Sequence, residues 1–372
     1  MTEMDFNLSE ERSLLAASID RFLQNADSTK KIIKGGDQNL ANDAGFWQEA
    51  AELGLIEALL PAQAGGLGGD GLDLMLVFER LGKHLINAPF LSTAILGAMP
   101  LWQQDAKKYS ALLADVGAGT SKLALAISEA DSRYDIYHAD TRATSRDGEH
   151  YKLSGHKAVV LGASDASHLV VSAKLEGEEA GIGLFLIDGK AEGLESRSYQ
   201  TIDAVLASDI WLENVPASCI TRNGADILGQ TVAAGALCLS AEAVGLMDVM
   251  KDATIEYVKT RKQFGRSIGS FQVIQHRLVD LLMEIEQTRS ATMLAAAHLF
   301  SQPNIRDKHI SAAKNLAGRI GKLVAEETIQ LHGGIAMCWE TDIAHYAKRL
   351  TMIDHYLGDS DYHLKQMMRL SA

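Results

Sequence analysis

The stretch Arg261-Lys-Gln-Phe264-Gly-Arg-Ser-Ile-Gly-Ser-Phe-Gln272 decides how the chain is read, because it joins two long segments of helical period. Before it, Leu246, Val249, Met250, Ala253 and Tyr257 share one helical face; after it, Phe271, Ile274, Leu278, Leu281, Leu282 and Ile285 share another. Within it, the arginine can pair bidentately with phosphate oxygens, the phenylalanine can cover a planar heterocycle and the glutamine can satisfy a polar edge. Alone, the segment reads evenly as an anion site or as a helix-loop surface. Ile310, Ala313, Leu316 and Ile320 open a third long helix, which runs to Gln330-Leu-His-Gly333-Gly334. Paired glycines stop a helix, and they also let backbone approach a ligand closely. Long helices with short connections predict a bundle over residues 224–372.

Outward from that bundle the period changes. Short β-rich runs at Leu123–Ile127, Tyr151–Leu153, Ala158–Leu161, His168–Ala173, Ile182–Ile187 and Ile210–Leu212 are separated by turn residues such as Asp147-Gly148, Gly162 and Gly193. That spacing predicts a small barrel or sandwich over residues 121–223. Residues 1–120 read as helical, with Ser9 as a cap ahead of Glu10 and Glu11, and further helices around Phe46–Leu55, Leu72–Leu85 and Phe90–Gln103. The expected fold class is mainly α with a central β-domain: an N-terminal helical domain, a small β-barrel and a C-terminal helical bundle.

Charge and composition narrow the function. With 35 basic and 48 acidic residues the net charge is −13, which argues against nucleic acid or an anionic membrane as partner. No run of ~20 uncharged apolar residues stands out as a membrane span. Cys219, Cys238 and Cys338 lie far apart without a CxxC pair, a pattern that suits a reducing compartment and offers no zinc framework. The N-terminus lacks the basic and apolar regions of a signal peptide, so the expected location is the cytoplasm.

Two tempting patterns carry little. Gly66-Leu-Gly68-Gly-Asp-Gly71 matches GxGxxG, but it follows a helical segment and Pro61 rather than a strand, and it reads as an inter-helix loop. Asp354, His355, Asp359, Asp361 and His363 could suggest a metal, yet Asp361 points off the shared face and a solvated or interface helix is the better reading; no metal is expected. A GxSxG nucleophile elbow is absent.

Together, the segments Tyr257–Gln272 and Gln330–Gly334, with the three-part layout and an opening at Phe6–Glu10, resemble the acyl-CoA dehydrogenase family over essentially the whole chain. The resemblance implies FAD as cofactor, an acyl-CoA thioester as substrate and an electron-transfer flavoprotein as acceptor. It also implies that Arg261, Phe264 and Gln272 bind the pyrophosphate and adenine end of a flavin held by a neighbouring protomer, with Gln330, Gly333 and Gly334 contributing to the same cross-subunit site.

Elsewhere the chain departs from the family. The segment that holds the flavin ring, TEPGAGSD-like in the family, is here Ser128-Glu-Ala-Asp131-Ser-Arg133-Tyr134-Asp135. The family's lysine followed by Trp-Ile-Thr/Ser appears as Lys157-Ala-Val-Val160-Leu161-Gly162. The family's base, in a Tyr-Glu-Gly-Thr segment, falls on Tyr356-Leu357-Gly358-Asp359, and its alternative position on Gly235, neither of which brings a carboxylate. Glu242 and Asp359 are the nearest substitutes. The Ser-Arg-Tyr-Asp run at 132–135 and the ending at 356–364 are similar to the small subunit of pimeloyl-CoA dehydrogenase and to subunits of heterotetrameric steroid-CoA dehydrogenases. The expectation is thus a subunit that lends half of an FAD site to a homologous partner in an α2β2 complex. The alternatives are a self-sufficient homo-oligomer with a relocated base and a non-catalytic acyl-CoA-binding or assembly protein.

Overall fold

The computed structural model describes residues 9–26, 28–34, 43–145, 150–176 and 181–371. Asp147-Gly148 and Phe6 to Leu8 lie outside the described residues. Packing groups the chain into two compact units: one from within residues 1–40, 70–86 and 236–372, the other from 41–69 and 87–235. The expected segments 1–120, 121–223 and 224–372 are each contiguous in the chain. The packing units are not, because the N-terminal helices are divided between them.

The first unit is helical. It contains α1 (Glu10–Leu23), α2 (Ser28–Lys34), α4 (Gly71–Lys83), most of α7 (Ala225–Thr260), α8 (Gln272–Ala297), α9 (Pro303–His332), α10 (Asp342–His355) and α11 (Ser360–Arg369). Ser9 caps α1 as expected, its hydroxyl accepting the Arg12 N–H at 3.2 Å. α4 and α7 cross at glycines, where a side chain would meet main chain: a Cβ on Gly82 would lie 2.2 Å from the Glu242 carbonyl oxygen, and one on Gly245 2.0 Å from that of Glu79. α7 is apolar and long enough to cross a membrane by composition alone, but 89% of its apolar window is buried in the protein, as in a core helix. Ion pairs reinforce the crossing, with Arg289 reaching both Glu79 at 2.9 Å and Asp248 at 2.7 Å.

The second unit holds α3 (Ala44–Glu52), a π-helical turn at Leu91–Gly97, α5 (Met99–Asp105), α6 (Ser110–Gly117) and a seven-stranded sheet. The strands are β1 (Leu123–Ala126), β2 (Arg142–Ser145), β3 (His150–Leu161), β4 (His168–Leu175), β5 (Gly183–Asp188), β6 (Leu194–Gln200) and β7 (Leu206–Thr221). β4 pairs with β2 and β5, β2 with β3, and both β3 and β5 with β7, so the sheet closes on itself as a small barrel. β1 adds parallel to β4, and β6 lies against β7. Tyr151, Leu153, Val171, Phe185, Ile210 and Val215 are among the residues that fill the barrel. The polar strands β2 and β6 show no apolar alternation, and sequence pattern alone misses them. The expected loop at Gly66–Gly71 is indeed a packing turn: Cβ atoms on Gly66 and Gly69 would run into the main chain of Leu60 and Pro61.

The corner between α10 and α11 is built on a buried cation. Lys314 Nζ donates to the carbonyls of Ile353 at 2.8 Å, Asp354 at 3.2 Å and Gly358 at 2.8 Å. Burial brings its ammonium down to about 8. Beside it His363 is 5% exposed, its Nε2–H donating to Leu357 O at 3.0 Å and its Nδ1 lying 3.3 Å from the Ser311 hydroxyl. Burial, then the Lys314 charge, press the imidazole down to about 3, so it is neutral in the folded chain. A folded pKa below the unfolded value gives stability that is complete above about pH 6.5 and lost as pH falls towards 3. Urea unfolding between pH 7 and pH 4 is expected to show a loss of about 1.4 kcal/mol per pH unit from this group, and His363→Gln to flatten that slope.

Candidate functional site

α7 ends at Thr260 and the chain turns through a two-stranded hairpin, β8 (Lys262–Gln263) and β9 (Arg266–Ser267). Its two-residue loop places Phe264 at φ +52° and Gly265 at φ +76°. A left-handed phenylalanine costs roughly 1–2 kcal/mol relative to ordinary backbone. Phe264 is nonetheless held out, 92% exposed. Arg261 and Gln272 are exposed beside it. Gln272 opens α8, whose N-terminus carries neither a side-chain cap nor an acid in its first turn, an arrangement suited to an anion.

The second segment ends α9. Gly333 takes φ +74°, which a residue with a Cβ adopts only under strain, and space is open within 4 Å of a Cβ on either Gly333 or Gly334. Gln330 is exposed one turn earlier. The two segments meet through aromatic contact: Tyr257 stacks on His332 at 4.4 Å between ring centroids, and His332 Nδ1–H donates to the Thr328 carbonyl at 2.9 Å. The ends of α7 and α9 therefore lie side by side, and Arg261, Phe264, Gln272, Gln330, Gly333 and Gly334 belong to one end of the helical unit.

In the β unit the segment Ser128–Asp135 is a loop anchored from within. Glu129 accepts Lys157 Nζ at 2.7 Å, the amides of Asp140 at 2.6 Å and Thr141 at 3.1 Å, and the Thr141 hydroxyl at 2.7 Å. Burial alone would raise this carboxyl, but the Lys157 hydrogen bond and charge, with the other donors, bring it down to about 2. Lys157 is fully buried and also donates to Ser172 at 3.0 Å. Sequence reasoning marked Lys157 by its neighbours but missed Glu129 as its partner; a lysine within β3 and a glutamate in the loop after β1 gave no local signal of pairing. Arg133 sits at φ +47° in the same loop, and Val159, on a bulge of β3, at φ +54° with its N–H donated to Asp209 at 3.0 Å.

Both carboxylates suggested as a relocated base have structural partners. Glu242 is 3% exposed and gripped on both oxygens by Arg349, from Nε at 2.6 Å and from Nη2 at 2.7 Å. Asp359 caps α11, accepting the Tyr362 N–H at 2.7 Å. Gly235 is buried within α7, and Leu357 stands at φ +56° on the corner that Lys314 braces. The C-terminal acids and histidines do not form one cluster: His363 faces Leu357 O, His355 is exposed, and Asp354 accepts from Ser360. Among the described residues Glu129, His138 and Asp140 bring possible ligand atoms within 4.8 Å of one another, but the Glu129 carboxylate is already engaged by Lys157.

Comparison with known proteins gives the same three-part order. Family models match for the acyl-CoA dehydrogenase N-terminal domain over residues 9–104, the middle domain over 124–215 and the C-terminal domain over 222–371. The chain is 28% identical to the probable acyl-CoA dehydrogenase YngJ of Bacillus subtilis, with 96% of this chain and 97% of that protein covered. Among solved structures it is similar to a variant of the Tcur3481-Tcur3483 steroid ACAD, at 29% identity and TM-score 0.86, covering 97% of this chain and 98% of that one. It is likewise similar to PigA with FAD and proline, at 25% identity and TM-score 0.88, covering 98% of each.

Glu242 and Arg349 give a direct test of role. Glu242→Gln removes the carboxylate that grips the buried Arg349 guanidinium on both oxygens, and is expected to lower stability by about 3 kcal/mol in chemical denaturation. A base with no structural duty would instead leave stability unchanged and remove turnover alone.

Proposed function

The chain belongs to the acyl-CoA dehydrogenase family, oxidoreductases that act on acyl-CoA, and we propose that within it this chain is the flavin-clamping subunit of a heteromeric dehydrogenase. The observation that carries this reading is an asymmetry. The residues that would serve a neighbour's FAD are present, exposed and convergent, while the positions that would act on a substrate of its own hold Gly235 and Leu357.

The residues present fit one half of FAD. Arg261 offers a forked donor to the pyrophosphate, helped by the uncapped N-terminus of α8. Phe264 offers an exposed face to a heterocycle, and Gln272 and Gln330 offer amides to its polar edges. Open space at Gly333 and Gly334 lets the cofactor reach main chain. FAD, when bound, supplies the hydride acceptor for α,β-dehydrogenation of the thioester. The α-proton passes to a carboxylate that, on this reading, the homologous partner contributes.

The solved relative whose name pairs two chains as a steroid ACAD, and PigA with FAD, support this reading. A steroid-derived or dicarboxylic acyl-CoA is the proposed substrate class, with an electron-transfer flavoprotein as electron acceptor. The homo-oligomeric alternative needs a base, and Glu242 is gripped on both oxygens by Arg349, while Asp359 Oδ1 serves as the cap of α11.

The test is to assay the chain alone and co-expressed with a family member that keeps the base. Turnover of acyl-CoA is expected only from the pair. Arg261→Gln in this chain is expected to weaken FAD binding to the pair by roughly ten- to a hundredfold, the loss of a charge-assisted bidentate contact. Full flavin occupancy and turnover by the lone chain would overturn the reading.

A further inference from the structure

The geometry points to Phe271 and Arg266 as positioning residues that hold the Phe264 hairpin outward before any ligand arrives. The inference rests on the half-site reading above and deepens it. It begins from an awkward turn. With φ +52° and +76° in the loop, Phe264-Gly265 has the positive-φ pair of a type I′ hairpin, a setting that favours Asn, Asp or Gly at its first position. A phenyl ring there has no local reason to stay, and burial elsewhere would reward it for leaving. The hairpin itself is held by two residue pairs, Lys262 with Ser267 and Gln263 with Arg266, closed at its base by the Ile268 N–H donating to the Arg261 carbonyl at 2.9 Å, and so short a ribbon is marginal in water.

Neighbouring side chains provide the restraint. The Phe264 ring meets Phe271 edge to face, 6.3 Å between centroids at 88°. The Arg266 guanidinium lies 4.0 Å from the Phe271 ring centroid. Phe271 thus serves as a post with the ring of Phe264 and the cation of Arg266 leaning on it.

The post has a rigid footing. The Phe271 carbonyl accepts the N–H groups of Ile274 at 3.0 Å and Gln275 at 3.2 Å, so the residue is the first support of the 26-residue α8. Gln275 Nε2 donates back to the Gly269 carbonyl at 3.0 Å, and Ser270 Oγ to that of Ser267 at 2.7 Å. A Cβ on Gly269 would come within 3.0 Å of the Val258 carbonyl oxygen, so the turn before Phe271 is seated directly on the end of α7. Two helices therefore define where the post stands, and the post defines where Phe264 stands. A ligand meeting a preformed ring avoids the loss of affinity that follows when only a fraction of molecules is competent.

Hydrogen exchange at the amides of 262–267 in the flavin-free chain, and FAD titration of the deflavinated heteromeric complex, read the two ends of this argument. Phe271→Leu and Arg266→Gln are expected to speed exchange across the hairpin and to raise the FAD dissociation constant about tenfold, or 1.4 kcal/mol, with the unfolding midpoint unmoved. Phe271→Tyr is expected to restore both. Phe264→Asn is expected to slow exchange, because it suits the turn, while weakening FAD. Unchanged hairpin exchange in Phe271→Leu and Arg266→Gln would overturn the inference, as would a loosened hairpin with FAD affinity still within twofold of wild type. A wild-type complex that takes up no FAD would defeat the half-site reading, and the exchange arm would still decide whether Phe271 orders the hairpin.

Discussion

Removing a proton from the carbon next to a thioester requires a carboxylate with a lone pair to offer, and charge pairing engages four of the buried acids here, while a fifth, Asp203, accepts from the Thr201 hydroxyl. Glu79 and Asp248 share Arg289, Glu129 holds Lys157, and Glu242 holds Arg349. Such a pairing is the condition under which a carboxylate can be buried at all, since an isolated charge in a low-dielectric interior would be neutralised or expelled. The same pairing makes each acid a structural member. Lys314 applies the principle in reverse, a buried cation satisfied by main-chain oxygens at the corner between α10 and α11. That corner is braced, and the side chain it presents is Leu357.

The features at the ends of α7 and α9 have the opposite character. Phe264, Arg261, Gln272 and the glycine pair are exposed, and the exposure of Phe264 has no folding rationale: a phenylalanine in a left-handed turn would be easily replaced by a residue that suits the turn. Exposed, strained and convergent groups are what a site completed by another molecule looks like before that molecule arrives. On the reading proposed here the helical unit presents a surface to a partner, and Gly235 and Leu357 stand at the positions that the family resemblance assigns to a base.

Much of this was legible in the sequence. The segment 261–272 and the Gly333-Gly334 stop were visible because helical period breaks sharply at both, and the structure brings them together through Tyr257 and His332. The central barrel was legible from its apolar strands, but β2 and β6 were not, since neither strand has an apolar stripe. The tie between Glu129 and Lys157 escaped because the partners are 28 residues apart and neither neighbourhood hints at the other. Glu242 could be picked out as an acid on an apolar helix. Its arginine partner, 107 residues away, could not, and that partner decides its role. Long-range pairing between charges is set by how elements pack, as where the glycines at 82 and 245 let α4 and α7 cross closely and Arg289 reaches both Glu79 and Asp248, rather than by any local pattern.

The central claim is that this chain completes a site belonging to another chain. The most direct measurement is the flavin content of the native complex, from absorbance of released FAD against quantified polypeptide. The account predicts one FAD for every two chains. One FAD for every chain, with this chain retaining its own, would contradict it.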